Sequence, residues 1–239
     1  MQDTRTMLAC AAALFTSAVA IVLLRRLAEP LGLLDRPNDR KQHKGSVPLV
    51  GGLAMFCGVF VGAWWYGDAT QMSRMLLTTA AGLTIMGSLD DRHELSVRTR
   101  LIVQTLAVFV MIGSTDVYIR SLGTLNGVQL QLGPLGIPVT LIAVIGLLNA
   151  FNMMDGIDGL SGSMGLVGIG SIFAFHHSGV TPGVTVLIAM LGAAMIPYLA
   201  TNLGLFGRKI FMGDAGSTVL GYLLGWALID LSQSPGSDL

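Results

Sequence analysis

An all-α, polytopic membrane bundle of about eight transmembrane helices, with its N-terminus outside, is the fold class that three features of this sequence predict. First, 52% of the 239 residues are hydrophobic and only 12% are charged, whereas soluble domains carry about 25% charge. Second, the charges leave long gaps. No Asp, Glu, Lys or Arg occurs in Thr6–Leu24, Gly45–Gly67, Met75–Leu89, Leu101–Thr115, Ser121–Met154, Gly159–Gly207 or Ala215–Ile229. Third, the basic residues are unevenly placed. With the N-terminus outside, 11 of the 14 basic residues fall on the inner side, leaving only Arg5, Arg74 and Arg120 outside, which is the expected positive-inside bias.

A membrane span needs roughly 20 apolar residues, fewer when its ends lie at the interface. The gaps predict helices over 7–24, 46–66, 75–90, 101–116 and 138–154. The long gap after Asp158 divides at the turn cluster Ser178-Gly179-Val180-Thr181-Pro182-Gly183 into helices over 160–177 and 184–204, and a last helix follows over 216–231. The Arg25-Arg26 pair follows the first apolar run, which suits an uncleaved anchor rather than a signal peptide. Gly/Pro punctuation and the Leu-Gln-Leu-Gln-Leu alternation predict a short outer hairpin within Ser121–Pro138. Cys10 and Cys57 sit alone in predicted helices, so neither a disulfide framework nor a metal site is indicated. Zero net charge argues against a nucleic-acid-binding surface, and 1–239 reads as a single transmembrane domain.

Nine of the 14 acidic residues lie on the inner side, and all of these but Glu29 are gathered with amides and bases in four clusters. These are Leu33–Gly52, Ser88–Arg100, Asn149–Leu160 and Gly207–Thr218. One membrane face thus concentrates the groups that a charged, water-soluble substrate requires. Asp90 and Asp91 are adjacent carboxylates at a helix end. They repel unless cations lie near, which Arg92, Arg98 and Arg100 can supply. The alternative is an ordinary interfacial acidic helix end, which the macrodipole disfavours.

Asn149, Asn152 and Asp155 recur at i, i+3 and i+6, roughly on one helical face. Hard oxygens of this kind suit Mg²⁺, which keeps waters and takes one or two protein oxygens plus substrate phosphates. Asp158 stands evenly between a ligand wall and an N-cap for the following helix. Asp214, between Gly213 and Gly216, precedes a helix start that can bind anions; an N-cap role for Asp214 or Ser217 is the alternative. Arg40, Lys41, His43 and Lys44 can meet a lipid or nucleotide phosphate, or serve only as a topology signal for anionic headgroups. His176 and His177 read as interfacial residues on the outer side.

The four clusters, DRPNDRKQHKGSVPLVGG, LDDRHELSVRTR, NAFNMMDGIDGL and FMGDAGST, stand in an order that resembles the polyprenyl-phosphate N-acetylhexosamine-1-phosphate transferases. Within that group the DGIDGL form and the RHELSVRTR loop are more similar to the bacterial undecaprenyl-phosphate N-acetylglucosamine branch. The resemblance implies transfer of GlcNAc-1-phosphate from UDP-GlcNAc to undecaprenyl phosphate at the cytoplasmic face of the bacterial inner membrane, with Mg²⁺ or Mn²⁺. It implies Asn152 and Asp214 as metal contacts. By the same resemblance Asp90 and Asp91 correspond to an essential acidic pair, Asp155 and Asp158 to a second acidic pair, and Arg100 to a basic residue near the diphosphate. Together with the residue reading above, the expected catalytic residues are Asp90, Asp91, Asp155 and Asp158, and the expected substrate-binding residues Arg98, Arg100, Asn149, Lys41 and His43. A homodimer is compatible with it.

The family pattern continues with an inner His-rich loop and further helices, whereas no His-x-His-His occurs here. A non-catalytic polyprenyl-phosphate-binding protein is therefore a rival expectation. An ion-coupled transporter is a second, although transporter sites sit near the bilayer midplane, often within inverted repeats, and no repeat is evident.

Overall fold

In a computed structural model of the chain, residues 2–35, 45–67, 70–175 and 181–233 are described. Among them are eight α-helices: α1 Gln2–Leu31, α2 Gly51–Tyr66, α3 Gln71–His93, α4 Val97–Thr115, α5 Gly136–Met154, α6 Leu160–Ala174, α7 Pro182–Asn202 and α8 Gly213–Ser232. Two small antiparallel ribbons accompany them, β1 Leu34–Asp35 with β2 Val47–Pro48, and β3 Ser121–Leu125 with β4 Val128–Gln131. The molecule is a polytopic membrane helix bundle.

Each sequence-predicted helix is present, with shifted ends. α2 starts at Gly51 rather than 46 because Val47–Pro48 pairs with Leu34–Asp35 as a strand. α3 begins several residues early because Thr70 caps it, its hydroxyl accepting from the Ser73 N–H at 3.2 Å. Ser96 does the same for α4, accepting from Thr99 N–H at 3.2 Å.

Five helices, α1, α4, α5, α7 and α8, are long and apolar enough to cross a membrane; α5 is extended there by a 3-10 turn at Gly133–Leu135. α2 and α6 are apolar but have 16 and 15 residues. α3 is long but rich in hydroxyls. Thr78, Thr79, Thr84 and Ser88 donate back to the carbonyls of Arg74, Met75, Ala80 and Thr84, and Tyr222 donates to Thr79 Oγ1 at 2.8 Å. These hydroxyls are thus satisfied within the helix itself or, for Thr79 and Tyr222, between packed helices.

Nearly all of α8 is buried, and α2, α3, α5, α6 and α7 pack around it. Small residues permit the close approach, as is common between membrane helices. A Cβ on Gly52 would lie 2.1 Å from the Gly216 nitrogen, one on Gly87 2.4 Å from Ala215 Cα, and one on Gly221 2.8 Å from Leu148 Cα. Large exposed apolar side chains such as Phe15, Trp64, Trp65 and Ile142 cover the bundle's outside, as a lipid-facing surface requires.

The helices alternate in direction, so the two ends differ. At one end lies the predicted hairpin, turning at Asn126 and Gly127 with φ of 52° and 80°, the left-handed pair of a type I′ turn. Gln233, just past α8, accepts from Arg120 N–H at 2.8 Å and donates to the Ser121 carbonyl at 3.1 Å, which fixes the ribbon to that end. Asp230 accepts there from the Thr181 N–H and hydroxyl at 2.8 and 2.9 Å. The opposite end carries the polar clusters. The C-termini of α3, α5 and α7 meet the N-termini of α2, α4, α6 and α8 there. Phe211 forms a parallel bridge with Leu49, and its carbonyl accepts from Gly51 N–H at 2.9 Å, joining the segment before α8 to the segment before α2.

Candidate active site at the N-terminus of α8

The first turn of α8 is the centre of the polar end. Its N-terminal amides lack partners within the helix, and Asp91 supplies them from another helix. Asp91 Oδ1 accepts from Asp214 N–H at 2.8 Å and Oδ2 from Ala215 N–H at 3.3 Å. The cost of a carboxylate in the last turn of α3 is therefore offset by the positive end of α8. This corrects two sequence expectations. Asp214 lies within α8 rather than ahead of it, and neither Asp214 nor Ser217 is the cap. Met212 is at the N-cap position without a side-chain bond, and the Ser217 hydroxyl bonds back to the Gly213 carbonyl at 3.1 Å. Gly213 adopts φ 74°, and a Cβ there would lie 2.5 Å from Asp91 Oδ2, so both conformation and space require glycine.

Asp90 and Asp91 diverge. Buried Asp90 accepts from Leu95 N–H at 2.7 Å through Oδ1, which closes the α3–α4 turn where Glu94 has φ 50°. Its Oδ2 is shielded from solvent and has no aligned hydrogen-bond donor among the described residues; Arg100 Nη1 is 3.3 Å away as an ion-pair partner. The same carboxylate comes within hydrogen-bonding reach of Asp214. Two carboxylates that close need a proton or a cation between them.

Asn152, in the last turn of α5, donates through Nδ2 to Asp214 Oδ1 at 2.6 Å and to Ser217 Oγ at 3.3 Å. Asp155 caps the end of α5, and its carboxylate accepts from Gly213 N–H. Burial, followed by the nearby charges of Asp91, Asp214 and Asp158, outweighs that bond and pushes the Asp155 carboxyl up to about 8. Asp158 is farther out and pairs with Lys209 from the α7–α8 loop. The N-cap reading of Asp158 is thereby overturned, because α6 starts after Gly159 with no side-chain cap. Asn149 donates to the Ile145 carbonyl at 2.8 Å and to Gln104 Oε1 at 3.3 Å, so it faces α4 and does not share the Asn152 contacts. Arg98 is exposed and makes no ion pair among the described residues, whereas Arg100 reaches Asp90. Lys41, His43, His176 and His177 lie outside the described residues.

Sequence reading missed Gln104, Asn202, the contact of Ser217 with Asn152 and the pairing role of Lys209. Gln104 is one helical turn beyond Arg100 and is buried; a polar residue inside an apolar stretch was its only signal. Lys209 was absorbed into the positive-inside count.

Among the described residues no group of three or more His, Cys, Asp or Glu side chains has metal-ligand geometry. The donor chemistry nevertheless fits a hard divalent cation. Mg²⁺ needs one or two carboxylates and completes its shell with waters and phosphates. Asp214 with the Asn152 oxygen, and the undersatisfied Asp90 Oδ2, are oxygen donors in a region with excess negative charge.

Residues 73–232, which contain three of the four motifs and the whole of this constellation, match the family described as glycosyl transferase family 4. The chain belongs to glycosyl transferase family 4. It is 42% identical over 224 residues to a Yersinia pestis protein named undecaprenyl-phosphate alpha-N-acetylglucosaminyl 1-phosphate transferase, covering 92% of this chain and 61% of the relative. Proteins of the same name from Salmonella typhi and Haemophilus influenzae are 41% and 36% identical, each again over 92% of this chain, with 60% and 63% of the relative covered. The family 4 chain thus spans about three fifths of the length of the curated relatives it matches. The sequence resemblance is borne out at family level, and with it the membrane-bundle architecture.

Proposed function

We propose that this family 4 member transfers GlcNAc-1-phosphate from UDP-GlcNAc to undecaprenyl phosphate, giving GlcNAc-diphospho-undecaprenol and UMP, at the cytoplasmic face of the bacterial inner membrane. The observation that carries the reading is the convergence of Asp90, Asp91, Asp155, Asp214 and Asn152, from three separate helix ends, on the N-terminus of α8, with Arg100 beside them. Relatives bearing that activity in their names support the choice of substrates.

A phosphate monoester loses its second proton near pH ~6, so the acceptor lipid is already nucleophilic at neutral pH. An oxygen of the lipid phosphate attacks the β-phosphorus of UDP-GlcNAc. A new P–O bond forms as the bond to the bridging oxygen breaks, and UMP leaves with that electron pair. No strong general base is needed. The task is to gather three phosphate groups, hold them in line and offset their charge.

A divalent cation, Mg²⁺ or Mn²⁺, would supply that charge compensation when bound, and Asp214 with Asn152, assisted by Asp90, would hold it. Arg100 contributes a fixed positive charge at the α4 N-terminus, where it also keeps Asp90 oriented. Asp91 holds the first turn of α8, and so Asp214, in place. Both Asp91 oxygens are engaged in that task, which favours single displacement over a phospho-aspartyl intermediate on Asp91. Asp155 and Asp158 form the opposite wall, toward the α7–α8 loop.

The test is transfer of radiolabel from UDP-GlcNAc into organic-soluble lipid by membranes containing the chain, with and without Mg²⁺. Metal-dependent product with matching UMP release is expected. Polyprenyl-phosphate binding without transfer would replace this reading with a binding role, and ion flux without either would indicate a transporter.

A further inference from the structure

Two loops carry the outer wall of the candidate site, and one buried amide joins them. Asn202 is the last residue of α7 and is 2% exposed. Its Oδ1 accepts from the Gly159 N–H at 2.6 Å, and its Nδ2 donates to the Ile210 carbonyl at 2.9 Å. Gly159 ends the α5–α6 loop that bears Asp155 and Asp158; Ile210 lies in the α7–α8 loop, four residues before Asp214. The two backbone partners fix which side-chain atom is oxygen and which is nitrogen, since one partner can only donate and the other only accept.

Asn202 is itself held firmly. α7 closes with the Gly204 N–H donating to the Thr201 carbonyl and the Leu205 N–H to the Ala200 carbonyl, both at 3.0 Å, with Gly204 at φ 80°. That is a Schellman ending, and it ties the turn after Asn202 to the helix. On the partner side Gly159 has φ 75°, and a Cβ there would lie 2.7 Å from Leu203 Cδ2. The α5–α6 loop is therefore pressed against the end of α7 where Asn202 reaches it. Asp158 and Lys209 pair across the same two loops at the surface, but that pair is exposed to screening, whereas the amide is not.

We propose that Asn202 is a positioning residue that sets the separation between the Asp155–Asp158 wall and Asp214 by bonding both loop backbones at once. The proposal rests on the reading of these loops as one site, but its physical content can be measured without turnover. Amide hydrogen exchange of the whole chain in detergent is compared for wild type, Asn202→Leu and Asn202→Asp. Leucine has similar volume and removes both bonds. Aspartate keeps the acceptor for Gly159 and, at alkaline pH where the buried carboxyl is ionised, loses the donor to Ile210, so this variant is compared with wild type there.

For Asn202→Leu, exchange should rise roughly tenfold in both 156–160 and 208–214, the scale expected for one lost buried hydrogen bond, while protection in the middle of α3 and α8 is retained. For Asn202→Asp the rise should be confined to 208–214. In the lipid-transfer assay kcat should fall about 100-fold in Asn202→Leu, the cost of misplacing reacting groups by about 1 Å, with a smaller change in KM. Unchanged exchange in either loop of Asn202→Leu would overturn the proposal, as would uniform loss of protection throughout the bundle. Inactive wild type with the predicted exchange pattern would instead remove the transferase reading and leave the coupling of the loops intact.

Discussion

Asn152 and Asp214, 62 residues apart in sequence, are joined by a 2.6 Å hydrogen bond from the amide nitrogen to Oδ1. The bond orients the amide so that its oxygen, which accepts no hydrogen bond among the described residues, remains available to a cation. Asp214→Asn and Asn152→Ala should therefore each reduce transfer at least ~100-fold, the scale of losing a charge-stabilising group at a reacting centre. Raising Mg²⁺ should not restore either variant. The assay is label transfer into lipid across a Mg²⁺ titration; near-normal turnover in either variant would remove the metal-site assignment.

The Asp155 carboxyl gives a pH dependence with a definite sign. Burial raises it to about 8 in the folded chain, against about 4 for an exposed aspartate. The folded state therefore holds a proton that the unfolded chain releases at lower pH. This contribution to stability is fully present below about pH 4, declines as pH rises, and is lost above about pH 8. Melting temperature in detergent, without divalent metal, should fall between pH 5 and 8.5. Asp155→Asn should flatten that fall, and Mg²⁺ at pH 8 should raise the melting point by binding only the folded state. An equally steep fall in Asp155→Asn would assign the dependence to other groups.

Most of the fold was legible because lipid imposes a simple rule: charges must lie at helix ends. Seven gaps between charges, one of them split by the turn cluster at 178–183, therefore located the eight helices among the described residues. Their ends were less legible, since Thr70 and Ser96 caps add turns that hydropathy cannot register, while the Val47–Pro48 strand removes one from α2. The acids of the site were legible for the same reason, as costly residues in an apolar chain. Their division of labour was not. That Asp91 caps α8, and that Asp158 pairs with Lys209, depends on contacts between segments 51 or more residues apart. Asn202 gave no signal, because a single amide at a helix end is unremarkable until both loops are seen to meet it.

The glycine at position 52 should tolerate no side chain. A Cβ would lie 2.1 Å from the Gly216 nitrogen and 2.2 Å from its Cα, and both are backbone atoms that cannot swing aside. Gly52→Ala must push α2 from the first turn of α8, beside Asp214. Overpacking typically costs 1–3 kcal/mol, and a loss of at least ~3 kcal/mol is expected where backbone meets backbone. Gly82→Ala is the control, because a Cβ there meets nothing within 4 Å. Thermal unfolding of the two variants should separate them clearly, with transfer lowered only in Gly52→Ala.

Lys209 should matter more for chemistry than for stability. Its partner Asp158 and its own side chain are 39% and 47% exposed, and exposed ion pairs contribute about 0–1 kcal/mol. Lys209→Met keeps the stem that packs near Gly204 and removes only the charge, so the melting temperature should change little. Asp158 then loses its counterion and adds an uncompensated negative charge to a wall that must admit a diphosphate. KM for UDP-GlcNAc should rise several-fold, more strongly at low ionic strength, because screening is weaker there. Asp158→Asn in the same background should recover part of the loss. A KM unaffected by salt in Lys209→Met would mean that this pair lies outside the donor's approach.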